Sequence, residues 1–278
     1  MTRILVTSAS GANGDGYGAI LSFTADGVMT GPFSRDRRIS DPRGLSLGPS
    51  GEPVYVNSGD DRVLALDGHG KVAFDSGRID GLDPGGGTFG PGDRYYVGLR
   101  RHRTILALPA RLDSEGEPVL PGGIVPFPRG FGFGPGGDLY LASGIGPSGV
   151  GENTIAVFGP GGALRTARLV DDPELSPLDL VVAPGGNIVV SSEWPFGSPG
   201  AAATVREYDP STGRLVRVFA ADSAVGFARP RGLRFGSGGR LYCVGQDHVV
   251  AFAFDTGSFT GVVAHLSRLN GQALVLAP

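Results

Sequence analysis

Apolar and polar positions in this chain follow a pattern that is complete five times and begins a sixth. Each copy is a short apolar strand, a Gly/Pro turn and a second apolar strand, as in GLSLGPSGEPVYV at residues 44–56. A third apolar run follows in each copy, such as RVLAL at 62–66. Brief alternating runs bounded by turn residues indicate β-strands, and apolar i, i+3, i+4 runs free of Gly and Pro are scarce. The pattern therefore predicts an all-β fold.

The copies recur on the order of 40 to 50 residues apart, a spacing typical of propeller blades with four strands. The sixth copy starts with QALVLAP at 272–278, and its second strand is supplied by ILVTS at 4–8. We predict a six-bladed β-propeller of four-stranded antiparallel blades, closed by pairing of the N- and C-terminal strands. A solenoid would need capping repeats, whereas these two incomplete ends complement each other. The predicted single domain, 1–278, divides into blades at about 35–80, 81–125, 126–172, 173–222, 223–268, and 269–278 plus 1–34.

The innermost strand of each predicted blade alternates between residues that pack between blades and residues that line the axis. The first predicted axial ring consists of Gly44, Gly86, Gly130, Asp179, Gly232 and Ala273. Asp179 is its one exception to Gly or Ala, and Arg234 is the one charge in the second ring. The two residues lie in adjacent blades and can meet. Two interpretations stay open: a structural ion pair that fills the channel, or a carboxylate presented to a ligand.

Composition narrows the function classes. Net charge is −3, so nothing global favours nucleic acid or an anionic membrane. No apolar run approaches the ~20 residues that span a bilayer, and the first residues lack the features of a signal peptide. The single cysteine, Cys243, excludes an internal disulfide framework. We expect a cytoplasmic monomer with a small-molecule substrate.

The loops separate two faces. The turns between strands one and two are short and uniform, whereas the loops at 8–18, 143–153 and 191–203 are long and individual. Those loops join strands two and three, on the same face as the connections between blades, which we call the loop face. Long individual loops on a repeat scaffold usually carry function. We place the site at the axial end of the loop face.

Common catalytic motifs do not account for this chain. GxGxxG at 132–137 connects two strands. A dinucleotide-binding fingerprint connects a strand to a helix, so this motif is not one. Lys71 is the one lysine and lies in a turn on the opposite face, which disfavours Schiff-base chemistry. NGDG at 13–16 has the character of a calcium loop but lacks the later glutamate, so a turn is favoured.

Residues 41–72, DPRGLSLGPSGEPVYVNSGDDRVLALDGHGKV, resemble a full NHL repeat. Blades three and five share its P-R-G start, while Gly85 and Leu178 replace the arginine in blades two and four. The chain is more distantly similar to the regucalcin and gluconolactonase propellers. The NHL resemblance implies that Arg43, Arg129 and Arg231 brace neighbouring blades.

The regucalcin resemblance implies a divalent metal, Ca²⁺, Mg²⁺ or Zn²⁺, held at the axis. Only Asp179 and Asn270 match positions of that family's ligand set. Its axial glutamate has no counterpart here, and Glu193, from a loop, is the nearest candidate.

Other candidate residues come from the loop face. His102 and His248 fall in or beside loops between strands two and three, where either could act as a general base. Arg100, Arg101 and Arg103 form a loop cluster, and guanidinium groups suit a carboxylate or phosphate ligand. Trp194, with Phe196, can form an apolar pocket wall.

These candidates favour a small-molecule enzyme, a hydrolase or lyase acting on an anionic or lactone-like metabolite. The candidate acid/base groups are Asp179, Glu193, His248 and His102. The candidate substrate-binding groups are Arg234, Arg101, Arg231, Arg129, Arg43 and Trp194. The alternative is an NHL-type binding module whose arginine-rich face binds a protein or an anionic polymer.

Overall fold

A computed structural model of the chain describes residues 2–9, 18–83, 85–145 and 151–278. Within these residues the chain forms 24 strands in six four-stranded antiparallel sheets, with 3₁₀ turns and no α-helix. The strands, in chain order, are β1 Arg3–Ser8, β2 Ala19–Thr24, β3 Met29–Ser34, β4 Gly44–Leu47, β5 Val54–Ser58, β6 Arg62–Leu66, β7 Val72–Arg78, β8 Gly87–Gly90, β9 Arg94–Leu99, β10 Thr104–Leu108, β11 Glu117–Pro118, β12 Pro128–Phe133, β13 Leu139–Ile145, β14 Gly151–Phe158, β15 Leu164–Thr166, β16 Pro177–Val182, β17 Ile188–Trp194, β18 Ala202–Tyr208, β19 Leu215–Ala220, β20 Leu233–Phe235, β21 Arg240–Val244, β22 His248–Ala253, β23 Phe259–His265 and β24 Gly271–Ala277.

The sheets are the six predicted blades. Blade 1 contains β4–β7, blade 2 β8–β11, blade 3 β12–β15, blade 4 β16–β19 and blade 5 β20–β23. Blade 6 has the order β24-β1-β2-β3, so the first and last strands pair inside one sheet. Their antiparallel register aligns Ile4 with Leu276 and Val6 with Leu274. The predicted six-bladed fold and its closure through the termini are both confirmed.

Six apolar clusters lie between neighbouring blades, one at each interface. They arise because successive side chains on a strand point to opposite faces. In β5, Val54 and Val56 pack towards blade 6, while Tyr55 packs towards blade 2. Each blade is thus buried on both faces, and the core is a ring of interfaces around the axis.

The turns between the first two strands of each blade need backbone conformations that favour glycine. Gly137 has φ 79° and Gly186 has φ 93° at equivalent positions. Glycine adopts positive φ without the steric cost that other residues carry. The GxGxxG at 132–137 is this turn, at the end of β12, as its predicted context indicated.

Close approach of the blades explains the glycine ring at the axis. A Cβ on Gly86 would lie 2.9 Å from Cα of Gly130, and a Cβ on Gly232 would lie 2.7 Å from Cα of Ala273. A Cβ on Gly130 would lie 2.5 Å from Cα of Asp179 and would also collide with its carboxylate. The inner strands can therefore meet only where one partner lacks a side chain.

Deleting residues 272–278 removes nearly all of β24 and should abolish cooperative folding. The deleted strand contributes the fully buried Leu274 and closes the sheet edge of β1. Leu274→Ala is the milder test and should cost about 2–5 kcal/mol of unfolding free energy. Urea unfolding of both variants measures this. A truncated chain that unfolds at the same urea midpoint as the intact protein would show that closure is not required.

Gly130→Ala should destabilise the protein by roughly 1–3 kcal/mol, because the new methyl group meets backbone and carboxylate of Asp179. Gly136→Ala is the matched control, since a Cβ there meets nothing within 4 Å. Thermal and urea unfolding of the pair report the difference. Equal stability of the two variants would contradict the close approach at the axis.

Candidate functional site

A cavity of about 500 Å³ lies at the centre of the ring and is lined by the inner strands and the residues that precede them. The inner strands start at the loop face, so the preceding residues form the mouth. Among the described residues, five arginines and one carboxylate line this cavity: Arg43, Arg100, Arg129, Arg231, Arg234 and Asp179. A cavity with a strongly basic wall thus lies at the axial end of the loop face, where the sequence places the candidate site.

The mouth arginines alternate around the ring. Arg43, Arg129 and Arg231 hold equivalent positions, each just before an axial glycine, in blades 1, 3 and 5. The equivalent residue in blade 2 is Gly85, and there Arg100, which directly follows β9, faces the cavity instead. The basic groups are thereby spread over several blades rather than gathered on one loop.

Aromatic rings separate the arginines. The guanidinium carbons of Arg100 and Arg129 each lie 5.2 Å from the centre of the Phe127 ring. On the next ring, that of Phe196, Arg129 lies at 4.7 Å and Arg231 at 5.9 Å. Cations over aromatic faces are stabilised by the ring quadrupole. The alternating series of arginine and phenylalanine therefore lets neighbouring cations lie close together.

Burial and mutual repulsion depress the basicity of this wall. Burial lowers the pKa of Arg129 to about 9, with the charges of Arg100 and Arg231 acting in the same direction. Burial also lowers the pKa of Arg100 to about 10, where Asp83 opposes the shift and Arg43 adds to it. Holding several buried guanidinium cations close together costs electrostatic free energy. A bound anion offsets that cost, because a nearby negative charge stabilises the charged form of arginine.

The arginines differ in their protein partners. Arg43 contacts Asp41 at 2.6 Å and donates to Gln272 Oε1 at 2.9 Å. Arg231 contacts the buried Glu193 at 3.1 Å. Arg100 has no hydrogen bond or ion pair from its side chain within the described residues, and its buried Nε has no acceptor there. The N–H donors of the Arg100 guanidinium are therefore free to bind a ligand in the cavity.

Asp179 and Arg234 meet below the mouth, as predicted. Arg234 Nη1 lies 3.4 Å from Asp179 Oδ2, which also accepts the backbone N–H of Leu233 at 2.9 Å. Arg234 Nη2 donates to the carbonyl of Leu45 at 2.6 Å, so this side chain links blade 5 to blade 1 across the axis. Burial raises the pKa of Asp179, and Arg234 opposes that shift. The pair holds blades together and also places a carboxylate on the cavity wall.

Six predicted site residues lie outside the cavity lining, and two of them are Glu193 and Asn270. Arg101 is 60% exposed and lies 3.7 Å from Asp61, whereas its neighbour Arg100 faces inward. His102 is half-exposed and contacts Asp80 at 3.1 Å. Of the two expected wall residues, Phe196 lines the cavity, whereas Trp194 is the last residue of β17 and lies outside the lining. His248 lies on β22 and stacks on His265, with ring centres 4.6 Å apart.

The axial residues do not fit a divalent cation. Asp179 is bound to Arg234 and Glu193 to Arg231, and Asn270 Oδ1 accepts a hydrogen bond from Gln272. In the described part of the chain, no three His, Cys, Asp or Glu side chains come together as metal ligands. A wall of guanidinium groups repels a cation as well. We therefore derive no chemistry through a metal. The NGDG segment at 13–16 lies outside the described residues.

Sequence reasoning missed Phe127, and it named Arg100 as one member of a loop cluster without distinguishing it from Arg101. Arg100 directly follows β9, the second strand of blade 2, at its loop-face end. Glu193 holds the equivalent position in blade 4. That shared position was the available signal. Phe127 and Phe196 come from connecting segments that have no repeat pattern.

No protein family matches the sequence, and no curated protein is detectably similar to it. Solved structures do match. A chain of the nidogen/laminin complex is 15% identical over 100% of this chain and 99% of its own, with a TM-score of 0.76. A gluconolactonase from Xanthomonas campestris is 17% identical over 96% and 86%, with a TM-score of 0.63. Virginiamycin B lyase from Staphylococcus aureus is 16% identical over 87% and 76%, with a TM-score of 0.58.

At these identities the likeness shows the propeller fold alone. The similar structures include enzymes and a member of a protein complex, so the function must be argued from the cavity. Within the described residues, no helix has the length and apolar composition to cross a bilayer.

The His248–His265 pair should act on stability rather than on turnover. Burial and the neighbouring His265 lower the pKa of His248 below its usual 6.5. A depressed histidine pKa means that the folded state binds the proton less well, so stability present above about pH 6.5 is lost as the pH falls through the folded-state pKa. His248→Leu should flatten this acid limb, while His69→Gln, in an exposed turn, should leave it unchanged. An identical pH profile for His248→Leu and the parent protein would contradict this role.

Proposed function

We propose that the chain is an enzyme that binds an anionic small molecule in the axial cavity and acts on it as a hydrolase or lyase. One observation carries the proposal: five arginines and a single carboxylate line one cavity in the described structure. Arginine binds carboxylate and phosphate groups through paired, charge-assisted hydrogen bonds. A cavity of about 500 Å³ is of the size that small-molecule ligands occupy.

Arg100 is the proposed primary anion ligand. Its guanidinium rests on Phe127, and its side chain makes no hydrogen bond within the described residues. A desolvated cation with free donors binds an anion more strongly than an exposed one, because the local dielectric is low. Arg129, on the same aromatic ring, is close enough to share the anion.

Asp179 is the proposed acid/base group. It lies at the level of the axial glycines, directly below the mouth, and burial raises its pKa towards the range useful for proton transfer. Hydrolysis of a lactone and elimination next to a carboxylate both build negative charge on oxygen. The surrounding guanidinium groups would stabilise that charge as it develops.

The alternative, a flat binding platform, has less support. Arg43, Arg100, Arg129 and Arg231 line a cavity rather than an open surface. Arg101, at 60% exposure, is the arginine of the loop cluster that a platform would use, and it lies 3.7 Å from Asp61. The basic surface therefore favours a ligand small enough to enter the ring.

Arg100→Gln should weaken binding of a carboxylate or phosphate ligand by about 10- to 100-fold, since a hydrogen bond to a charged group contributes about 1.5–3 kcal/mol. Arg101→Gln is the matched control and should change affinity little. Isothermal titration against a panel of organic acids and phosphates measures both. Equal losses in the two variants would contradict an axial site and favour the platform.

Asp179→Asn should lower turnover by at least about 100-fold in a lactone, ester and elimination screen. It should remove any acid limb of the rate profile, because the parent loses its base as Asp179 becomes protonated. Urea unfolding of the same variant separates this effect from loss of structure. A folded Asp179→Asn variant with unchanged turnover would remove Asp179 from the mechanism.

A further inference from the structure

The cavity has two halves of different chemistry. The mouth carries the guanidinium groups of Arg43, Arg100, Arg129 and Arg231. The inner strands run away from the mouth, so their last residues line the deep half. Most of these side chains are apolar and partly buried, namely Phe89, Phe133, Val181, Val182 and Phe235, and Thr88 is a polar one.

The deep half leaves apolar surface exposed near the axis, whereas the centre of each inter-blade core is fully buried. The inter-blade cores of this protein contain residues with no exposure at all, such as Leu64 and Val190, both at 0%. Phe133 packs its ring against Tyr96, with centres 4.6 Å apart, yet still contributes surface to the cavity. Ligand pockets combine such apolar walls with a few polar groups that orient the ligand.

Three of the five cavity arginines form ion pairs with carboxylates of the protein. Arg43 contacts Asp41, Arg231 contacts Glu193 and Arg234 contacts Asp179. Arg100 has no carboxylate within ion-pair distance in the described residues. This arrangement suits one anionic group at Arg100 more than several anionic groups around the ring.

We propose that the ligand is an anionic amphiphile, with one carboxylate or phosphate head at Arg100 and an apolar body that extends into the deep half of the cavity. This inference rests on the proposed function, since it assigns a substrate class to the same site. The body passes the Asp179–Arg234 pair, which places bonds between head and body next to the acid/base group. Water displaced from the apolar walls supplies affinity that the head alone lacks.

Titration of two ligand pairs tests this: inorganic phosphate with phenyl phosphate, and acetate with phenylacetate. The pairs keep the head and add an aromatic body, and they separate a phosphate site from a carboxylate site. In at least one pair the aromatic member should bind at least about tenfold more tightly, because it buries a ring. The double variant Val181→Thr and Val182→Thr should lose most of that gain and leave the affinity for inorganic phosphate or acetate unchanged.

Val216→Thr is the matched control, because Val216 is 49% exposed on the outer strand β19, far from the cavity lining. It should bind all four ligands as the parent does. If both members of each pair bind equally and Arg100→Gln weakens them equally, the apolar body is wrong and the anion site stands. If no ligand binds, or Arg100→Gln has no effect on those that do, the proposed function fails with it.

Discussion

Everything at the axis depends on the pairing of β1 with β24, which joins the two ends of the chain inside blade 6. That pairing fixes Ala273 in the axial ring, where Gly232 of blade 5 approaches it closely. It also places Gln272 where its amide oxygen accepts from Arg43 of blade 1. An open ring would lose both contacts, and the arginines of blades 1, 3 and 5 would no longer face a common centre.

The same closeness that packs the inner strands creates the electrostatic character of the cavity. Guanidinium groups from several blades are held near one another and away from water, which lowers the pKa of Arg100 and Arg129. Phe127 and Phe196, between them, offset part of that cost through their ring faces. Protein carboxylates neutralise Arg43, Arg231 and Arg234. An anionic ligand is the natural complement of Arg100, which has no protein carboxylate beside it in the described residues.

The fold could be predicted for two reasons. The repeat has the period of a propeller blade, and the two chain ends carry incomplete copies that complement each other. The residues of the axial ring could also be predicted, because side chains alternate strictly along a strand and Asp179 interrupts a series of glycines. The orientation of loop residues was not readable. Arg100 and Arg101 are adjacent, yet one lines the cavity and the other lies beside Asp61, a choice made by the end of β9 and the contact with Phe127.

The orientation of His248 could not be predicted for a related reason. His248 lies beside a loop on the loop face, as expected, because it is the first residue of β22. Its ring, however, stacks on His265 of the neighbouring strand and does not line the cavity. Of the expected wall residues, Phe196 lines the cavity and Trp194 does not, because β17 ends at Trp194 and the chain then turns towards the axis. Neither outcome follows from a pattern within one segment, because both depend on contacts between segments.

The most direct test of the central claim is a crystal structure of the protein soaked in selenate, an anion that anomalous scattering locates. The account predicts a selenium peak in the axial cavity, with selenate oxygens about 2.7–2.9 Å from the Arg100 guanidinium nitrogens, the distance of a charge-assisted hydrogen bond, and loss of that peak in Arg100→Gln. Peaks confined to the outer surface, or an axial peak that persists unchanged in Arg100→Gln, would contradict it.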